Sequence, residues 1–245
     1  MLRGWLTRAG LAHRAWRYRL RVDRDGIRWM RSALRPGDIA VDVGAYKGGY
    51  TYWMRRGVGE SGAVLAYEPQ SGPAAYLRRC VRHCAWSNVT VVGCALSSQP
   101  GRRTLRLPGD APSPAGSLVG ASLPIGSRGY AVDVETLDRY LAANPLPSGP
   151  RLVKCDVEGH ELEVFLGARA TLEEHRPLIL VECETRHAPD RAVEDVFEHL
   201  LALDYRGSFF WRGVRTDVGR FETKLHQVEG RRPYVNNFIF EPSES

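Results

Sequence analysis

The sequence predicts an α/β fold in which a mostly parallel sheet is covered by helices on both faces. Three observations predict it. From residue 37 onward, short apolar runs that read as strands alternate with amphipathic stretches that read as helices. The run over 41–51 leaves one of those strands through glycines and enters a helix. A chain of 245 residues, 43% hydrophobic and 25% charged, can bury the core of one such domain and is short for two joined by a linker.

Taken in order, residues 38–43 form an apolar run ending at Gly44 and read as a buried strand. Residues 50–56 read as a helix and 62–67 as a second strand. In 73–85, Tyr76, Leu77, Cys80, Val81 and Cys84 fall at i, i+3, i+4 spacing, which predicts a helix. Residues 89–92 read as a third strand. Leu105 and Leu107 alternate with Arg106, which suggests an exposed strand or hairpin. A Pro/Gly/Ser-rich insertion follows over about 108–129. So long a loop is uncommon inside a compact domain, and it reads as a lid or a substrate-facing segment. Alternation resumes with a strand at 132–134, a helix at 135–141, a strand at 152–157 and a helix at 160–167. A strand at 178–183 and a helix at 192–203 follow. The segments 208–211 and 237–240 are candidate final strands.

The domain predicted from these elements spans 37–242, preceded by a basic helical extension over 1–36. Arginine is dense from Arg3 to Arg35, and no acid precedes Asp23. The first residues lack the continuous apolar core of a secretory signal. Leu2, Trp5, Leu6, Ala9 and Ala12 or His13 fall near one helical face. The plain expectation is a helix packed on the domain; peripheral membrane contact is the alternative use.

The net charge of +6 does not by itself predict a polyanion partner. Only three lysines (Lys47, Lys154, Lys224) occur, so arginine carries the charge, as it does in products of GC-rich genomes. No run reaches the roughly 18 apolar residues of a membrane span, which argues against a transmembrane enzyme. The five cysteines are odd in number, contain no CxxC pair and have no partners at zinc spacing. They predict reduced thiols and a cytoplasmic location.

The string V-D-V-G-A-Y-K-G-G-Y-T over 41–51 carries the first chemical signal. Gly44 permits a tight turn and close ligand approach, while Gly48 and Gly49 open the helix. The G-x-G-x-x-G spacing that cradles a pyrophosphate is absent, so the loop suits a nucleoside without one. Asp42 suits the ammonium of a methionine moiety. Glu68, in A-Y-E-P at the end of the second strand, can accept both hydroxyls of a ribose, and Pro69 stops that strand. Against this stands a generic glycine turn with an exposed Glu; the register of Glu68 with Gly44 favours an adenosine-type cofactor.

With these motifs in place the chain resembles the FkbM-family methyltransferases, over roughly residues 37–242. The blocks D-V-G-A-Y-K-G-G-Y-T, Y-E-P, N-V-T-V-V-G-C-A-L-S, V-E-T-L-D, K-C-D-V-E-G-H-E-L-E-V-F-L-G-A, P-L-I-L-V-E-C and N-N-F-I-F occur in the family's order. The resemblance implies a Rossmann-like class I methyltransferase fold with a seven-stranded sheet. It implies S-adenosylmethionine (SAM) as cofactor, held by Asp42, Gly44, Ala45, Gly48, Thr51, Glu68, Pro69, Ala95 and Leu96. Tyr46 and Lys47 depart from the family's usual loop and add an aromatic wall or a cation. The insertion matches no family pattern.

Acids gather at the later strand ends: Asp156, Glu158 and Glu161 after one strand, Glu182 and Glu184 after the next. Methyl transfer to a hydroxyl needs a proton acceptor; His187 and His160 are the candidates, with Asp156 or Glu182 as carboxylate alternatives. Asp156 and Glu182 are also candidate ligands for Mg²⁺. Arg186 and Arg128 are either anion-binding or solvated. Trp53, Trp86 and Trp211 read as core or pocket wall. The expected acceptor is a hydroxyl on a small molecule, a sugar or a glycolipid. Nucleic acid is not expected, because D-V-E-G stands where base methylases carry N/D-P-P-Y/F. An RNA methyltransferase and a non-catalytic SAM-fold subunit remain as alternatives, and a homo-oligomer is left open.

Overall fold

A computed structural model describes residues 2–109, 111–118, 128–187 and 192–243. The N-terminal segment forms helices α1 (Leu2–Arg17) and α2 (Arg24–Ala33), joined by a π-helical turn at Tyr18–Val22. Asp23 caps α2 by accepting the N–H of Gly26 at 2.9 Å. Strand β1 (Ile39–Val43), helix α3 (Gly49–Val58), strand β2 (Ala63–Tyr67), helix α4 (Ser71–His83) and strand β3 (Val89–Val92) follow within a few residues of the predicted bounds.

The middle of the chain departs from expectation. Strands β4 (Ala95–Leu96), β5 (Gly101–Leu107) and β6 (Arg128–Glu135) form a separate three-stranded sheet, ordered β4-β6-β5. Its apolar side rests on Ala95, Leu105, Leu107, Val132 and Val134. The predicted strand at 132–134 is thus the end of a longer one, because the exposed half of β6 carries no periodic signal. Helix α5 (Leu137–Ala143) is capped by Thr136, which accepts from the N–H of Arg139 at 3.1 Å.

Strand β7 (Leu152–Cys155), helices α6 (Glu161–Leu166) and α7 (Arg169–His175), and strand β8 (Leu178–Glu182) come next. Helix α7 was not legible locally; Asp138 holds it, accepting from the N–H groups of Ala170 and Thr171. Helix α8 (Glu194–Ala202), strands β9 (Tyr205–Trp211) and β10 (Val214–Asp217), the short helix α9 (Thr223–His226) and strand β11 (Asn237–Pro242) close the chain.

The main sheet runs β10-β9-β11-β8-β7-β1-β2-β3. The five strands from β8 to β3 pair in parallel, and β11, β9 and β10 are antiparallel. Seven strands match the expected sheet; β10 adds an eighth by pairing with β9 at the edge. Alternation sorts the side chains between two layers. Val41, Val43, Val153 and Cys155 face Phe165, Leu172 and Phe197 on one side. Ala40, Val64, Leu152 and Leu180 face Ile27, Met30, Trp53 and Met54 on the other. The indole N–H of Trp53 donates to the Ala15 carbonyl at 2.8 Å, which pins α1 against α3. All five cysteines are unpaired. No described helix is long and apolar enough to cross a membrane.

Candidate functional site

The sheet's order reverses between β1 and β7, since the chain proceeds from β1 outward to β3 and returns at β7. A crevice opens beyond the strand ends at such a switch point. Register decides what reaches it. Val43 of β1 is level with Tyr67 of β2 and with Cys155 of β7. The next residues, Gly44, Glu68 and Asp156, therefore emerge side by side. The N–H groups of Gly44 and Ala45 donate to the Tyr67 carbonyl at 3.1 and 3.0 Å, and that of Asp156 donates to Val43 at 3.1 Å.

Gly44 sits at φ +79°, and a Cβ there would collide with the Asp156 carbonyl oxygen. Tyr46 also adopts a left-handed conformation, at φ +46°. The carboxylate of Glu68 spans the bend: Oε2 accepts from the N–H of Tyr46 at 2.7 Å, and Oε1 accepts from that of Gln70 at 2.8 Å. Each oxygen keeps a second lone pair for a ligand hydroxyl. Burial pushes the Glu68 carboxyl up to about 7, against the lowering effect of those two N–H groups.

A cleft lies between these strand ends. Gly44, Glu68, Pro69, Ala95, Leu96, Asp156 and His160 line it, with Tyr46, Gln70 and Cys94. A second lobe shares Gly44, Tyr46, Pro114 and Asp156 with the first. Asp42, Ala45, Lys47 and Lys154 line it, and so do Arg14 and Tyr18 from the N-terminal segment. The two remaining cofactor candidates line neither lobe. Thr51 donates its hydroxyl to Asp42 Oδ2 at 2.5 Å. Gly48, at φ +80°, lets α3 start against Leu77 and Leu11.

The described part of the insertion covers this crevice. The Gln70 side chain donates to the Ser113 carbonyl at 2.8 Å and accepts from its N–H at 3.1 Å. Ser117 donates its hydroxyl to the Glu158 carbonyl at 2.6 Å. Residues 110 and 119–127 lie outside the described chain, so the lid reading applies to 111–118 alone.

The carboxylates expected to bind a metal are organised around a lysine instead. Register pairs Lys154 with Asp42, and alternation puts both on the face that also carries Asp156. The buried ammonium donates to Asp156 Oδ2 at 2.8 Å and lies 4.7 Å from the ring centre of Tyr50. Burial alone would lower its pKa, but Asp156, Asp42 and Glu182 outweigh that and hold it above its ordinary value. Burial, then Asp156, disfavours charge on Glu182, whose Oε1 accepts from Asn236 at 2.6 Å. Among the described residues no group of three His, Cys, Asp or Glu is placed to hold a metal ion. Asp156 and Glu182 therefore do not fit the Mg²⁺ role: a fixed cation already stands among these acids.

The two histidines part company. His160 is buried at the start of α6, and its Nε2 lies 2.9 Å from Ser97 Oγ. His187 stands on a 3₁₀ turn after β8 and lines neither lobe; its Nδ1 meets Glu158 Oε2 at 2.6 Å. Burial lowers the imidazole's affinity for a proton, yet the hydrogen bond and charge of Glu158 prevail and the pKa is raised. Arg186 is committed to Glu184 at 2.5 Å. Trp53 is core, while Trp86 and Trp211 are half-buried.

Sequence reasoning assigned no role to Lys154, Gln70, Arg14 or Tyr18. A lysine inside an apolar strand, two residues before an acid, was the available signal for Lys154. Nothing local to Arg14 or Tyr18 announces that α1 folds back to the loop.

The profile of the Methyltransferase FkbM domain matches residues 42–208. No curated protein sequence matches the chain. Solved structures share the fold. Methyltransferase FkbM from Methylobacillus flagellatus superposes with a TM-score of 0.52 at 18% identity, covering 97% of this chain and 59% of that one. This chain thus spans about three-fifths of that relative. A Clostridium thermocellum protein assigned as an rRNA-methylase gives 0.53 at 13% identity, covering 89% and 94%. The O-methyltransferase TomG from Streptomyces achromogenes, solved with SAM, gives 0.52 at 14%, covering 96% and 89%. At such identities the likeness speaks for the fold and not for the substrate.

Proposed function

Because the chain belongs to the FkbM methyltransferase family, we propose that it moves a methyl group from SAM to a hydroxyl oxygen of a small-molecule or glycan acceptor. One observation carries this reading: Glu68, bonded to the bend after Gly44, lines a cleft that shares Gly44, Tyr46 and Asp156 with a charged second lobe. The two lobes suit the two ends of SAM. The free lone pairs of Glu68 suit ribose hydroxyls, and Leu96, Leu105 and Leu118 offer apolar walls to the base. In the second lobe, Asp42 and Asp156 oppose Arg14 and Lys47, an arrangement for the zwitterionic end of an amino acid.

Two buried atoms bear on that fit. Asp42 Oδ1 and the Tyr67 hydroxyl have no hydrogen-bond partner in the protein. Burial pushes the Asp42 carboxyl up, only partly offset by Lys154 and Thr51. An arriving ammonium would favour its charged form.

When bound, SAM supplies an electrophilic methyl group on a sulfonium. The protein's part is alignment, exclusion of water and removal of the acceptor's proton. Alignment is worth about 7–11 kcal/mol in favourable cases. His187, on the turn after β8 and outside both lobes, is the proposed base for an acceptor held at their mouth. With Nδ1–H donated to Glu158, the lone pair on Nε2 is left to take the proton. A placed base contributes about 10²–10⁴-fold. His160 and Asp156 are assigned to the wall, since Ser97 and Lys154 hold them.

Isothermal calorimetry with SAM and its demethylated product tests the cofactor reading. Transfer of labelled methyl from SAM to a panel of sugars, glycolipids, phenols and RNA tests the acceptor class. Cofactor binding with labelling of RNA alone would overturn the hydroxyl reading. Binding without turnover on any acceptor class would favour a non-catalytic subunit, and no binding would remove the proposal.

A further inference from the structure

Helix α1 carries two apolar faces, one packed on the protein and the other left largely to solvent. Leu11 and Ala15 are fully buried against α3 and α4. On the opposite side Trp5, Ala9, Trp16 and Leu20 follow one another at helical spacing. Trp5 is 66% exposed and Leu20 62%; Trp16 shows 45%, its other edge resting on Trp53. Leu6 and Val22 are exposed beside them. Five of the nine large hydrophobic residues exposed among the described residues fall within this one segment, so the apolar surface is concentrated rather than scattered.

The charge carried by residues 2–22 has one sign. Arg8, Arg17 and Arg21 are exposed along the flanks of the stripe, and no acid occurs before Asp23. A nucleic-acid duplex would satisfy the arginines and leave two tryptophans and a leucine in water. An anionic bilayer satisfies both: indoles settle at the headgroup level, leucines enter the acyl boundary and guanidiniums meet phosphates.

We propose that the outer face of α1 and the π-helical turn dock this protein on anionic membrane surfaces, lying in the interface without crossing it. The test is co-sedimentation of the full chain with phosphatidylcholine vesicles, with and without phosphatidylglycerol. Wild-type protein is expected to pellet with the phosphatidylglycerol vesicles and to be released by raised salt. Trp5→Ser with Leu20→Ser removes apolar contact without changing charge and should weaken binding at least about tenfold. Arg17→Gln with Arg21→Gln should weaken it and flatten its salt dependence. Circular dichroism melting of each variant, expected to match wild type, separates lost docking from lost folding. The proposal is overturned if wild type stays in the supernatant, or if folded Trp5/Leu20 variants pellet like wild type. It also fails if phosphatidylglycerol makes no difference, or if RNA binds more tightly than the vesicles and does so regardless of Trp5 and Leu20.

Discussion

The carboxylate of Glu68 accepts the backbone N–H of Tyr46 across 2.7 Å, tying the end of one strand to the bend that follows its neighbour. Tyr46 stands at a positive φ, and Glu68, with one backbone N–H on each oxygen, lines the cleft.

Glu68→Ala should therefore act twice, by removing acceptors for ribose and by freeing the loop. Hydrogen bonds to a charged group are worth about 1.5–3 kcal/mol each, so SAM affinity should fall by about 10- to 100-fold or more. Calorimetry checks this; an unchanged dissociation constant would remove Glu68 from the cofactor site.

Gly44→Ala should be costly although it adds one carbon. The new Cβ meets the Asp156 carbonyl oxygen, which is rigid backbone, and the residue needs φ +79°. A loss of about 2–4 kcal/mol of stability is expected from urea unfolding, together with loss of SAM binding.

Turnover should rise with pH through the His187 pKa, because only neutral imidazole takes a proton. That inflection should lie above the ordinary value of 6.5, since Glu158 favours the imidazolium. Glu158→Gln should move it downward, and His187→Ala should lower kcat by about 10²–10⁴-fold with SAM affinity kept. A pH–rate profile of the three proteins decides; equal profiles would strike His187 from the mechanism.

Lys154→Met leaves Asp42, Asp156 and Glu182 without their common cation. Breaking a buried charge pair on one side costs about 3–5 kcal/mol, and a corresponding drop in the unfolding midpoint is expected. Because this lysine stands where a metal would, EDTA should leave the wild type's turnover unchanged; a chelator-sensitive, Mg²⁺-restored activity would contradict it.

Stability should fall as pH rises from about 4.5 to about 7. Burial pushes the Glu161 carboxyl from 4.5 up to about 7, against the N–H groups of Gly159 and Val157 that it accepts. In that window the folded protein keeps a proton that the unfolded chain has released, so folding weakens with pH. The contribution is about 3 kcal/mol for this fully buried group. Glu161→Gln keeps Oε1 as acceptor for both N–H groups and should flatten that part of the curve in pH-dependent urea unfolding.

What could be read from the residues alone is what short stretches of chain encode. Apolar runs and helical spacing placed β1, α3, β2, α4 and β3 within a few residues, because burial on one or both faces imposes a local period. The glycine at 44 and the acid at 68 were legible too, since a left-handed bend and a strand-ending carboxylate are written in their own neighbourhoods. Tertiary packing decided the rest. Whether Asp42 and Asp156 meet a metal or Lys154 depends on the register of β1 against β7. Whether Arg14 and Tyr18 reach the cofactor loop depends on α1 folding back onto α3 and α4. Whether His187 pairs with Glu158 depends on two loops leaving neighbouring strands. Each is a contact between residues far apart in sequence, set by how whole elements pack, and no local pattern records it.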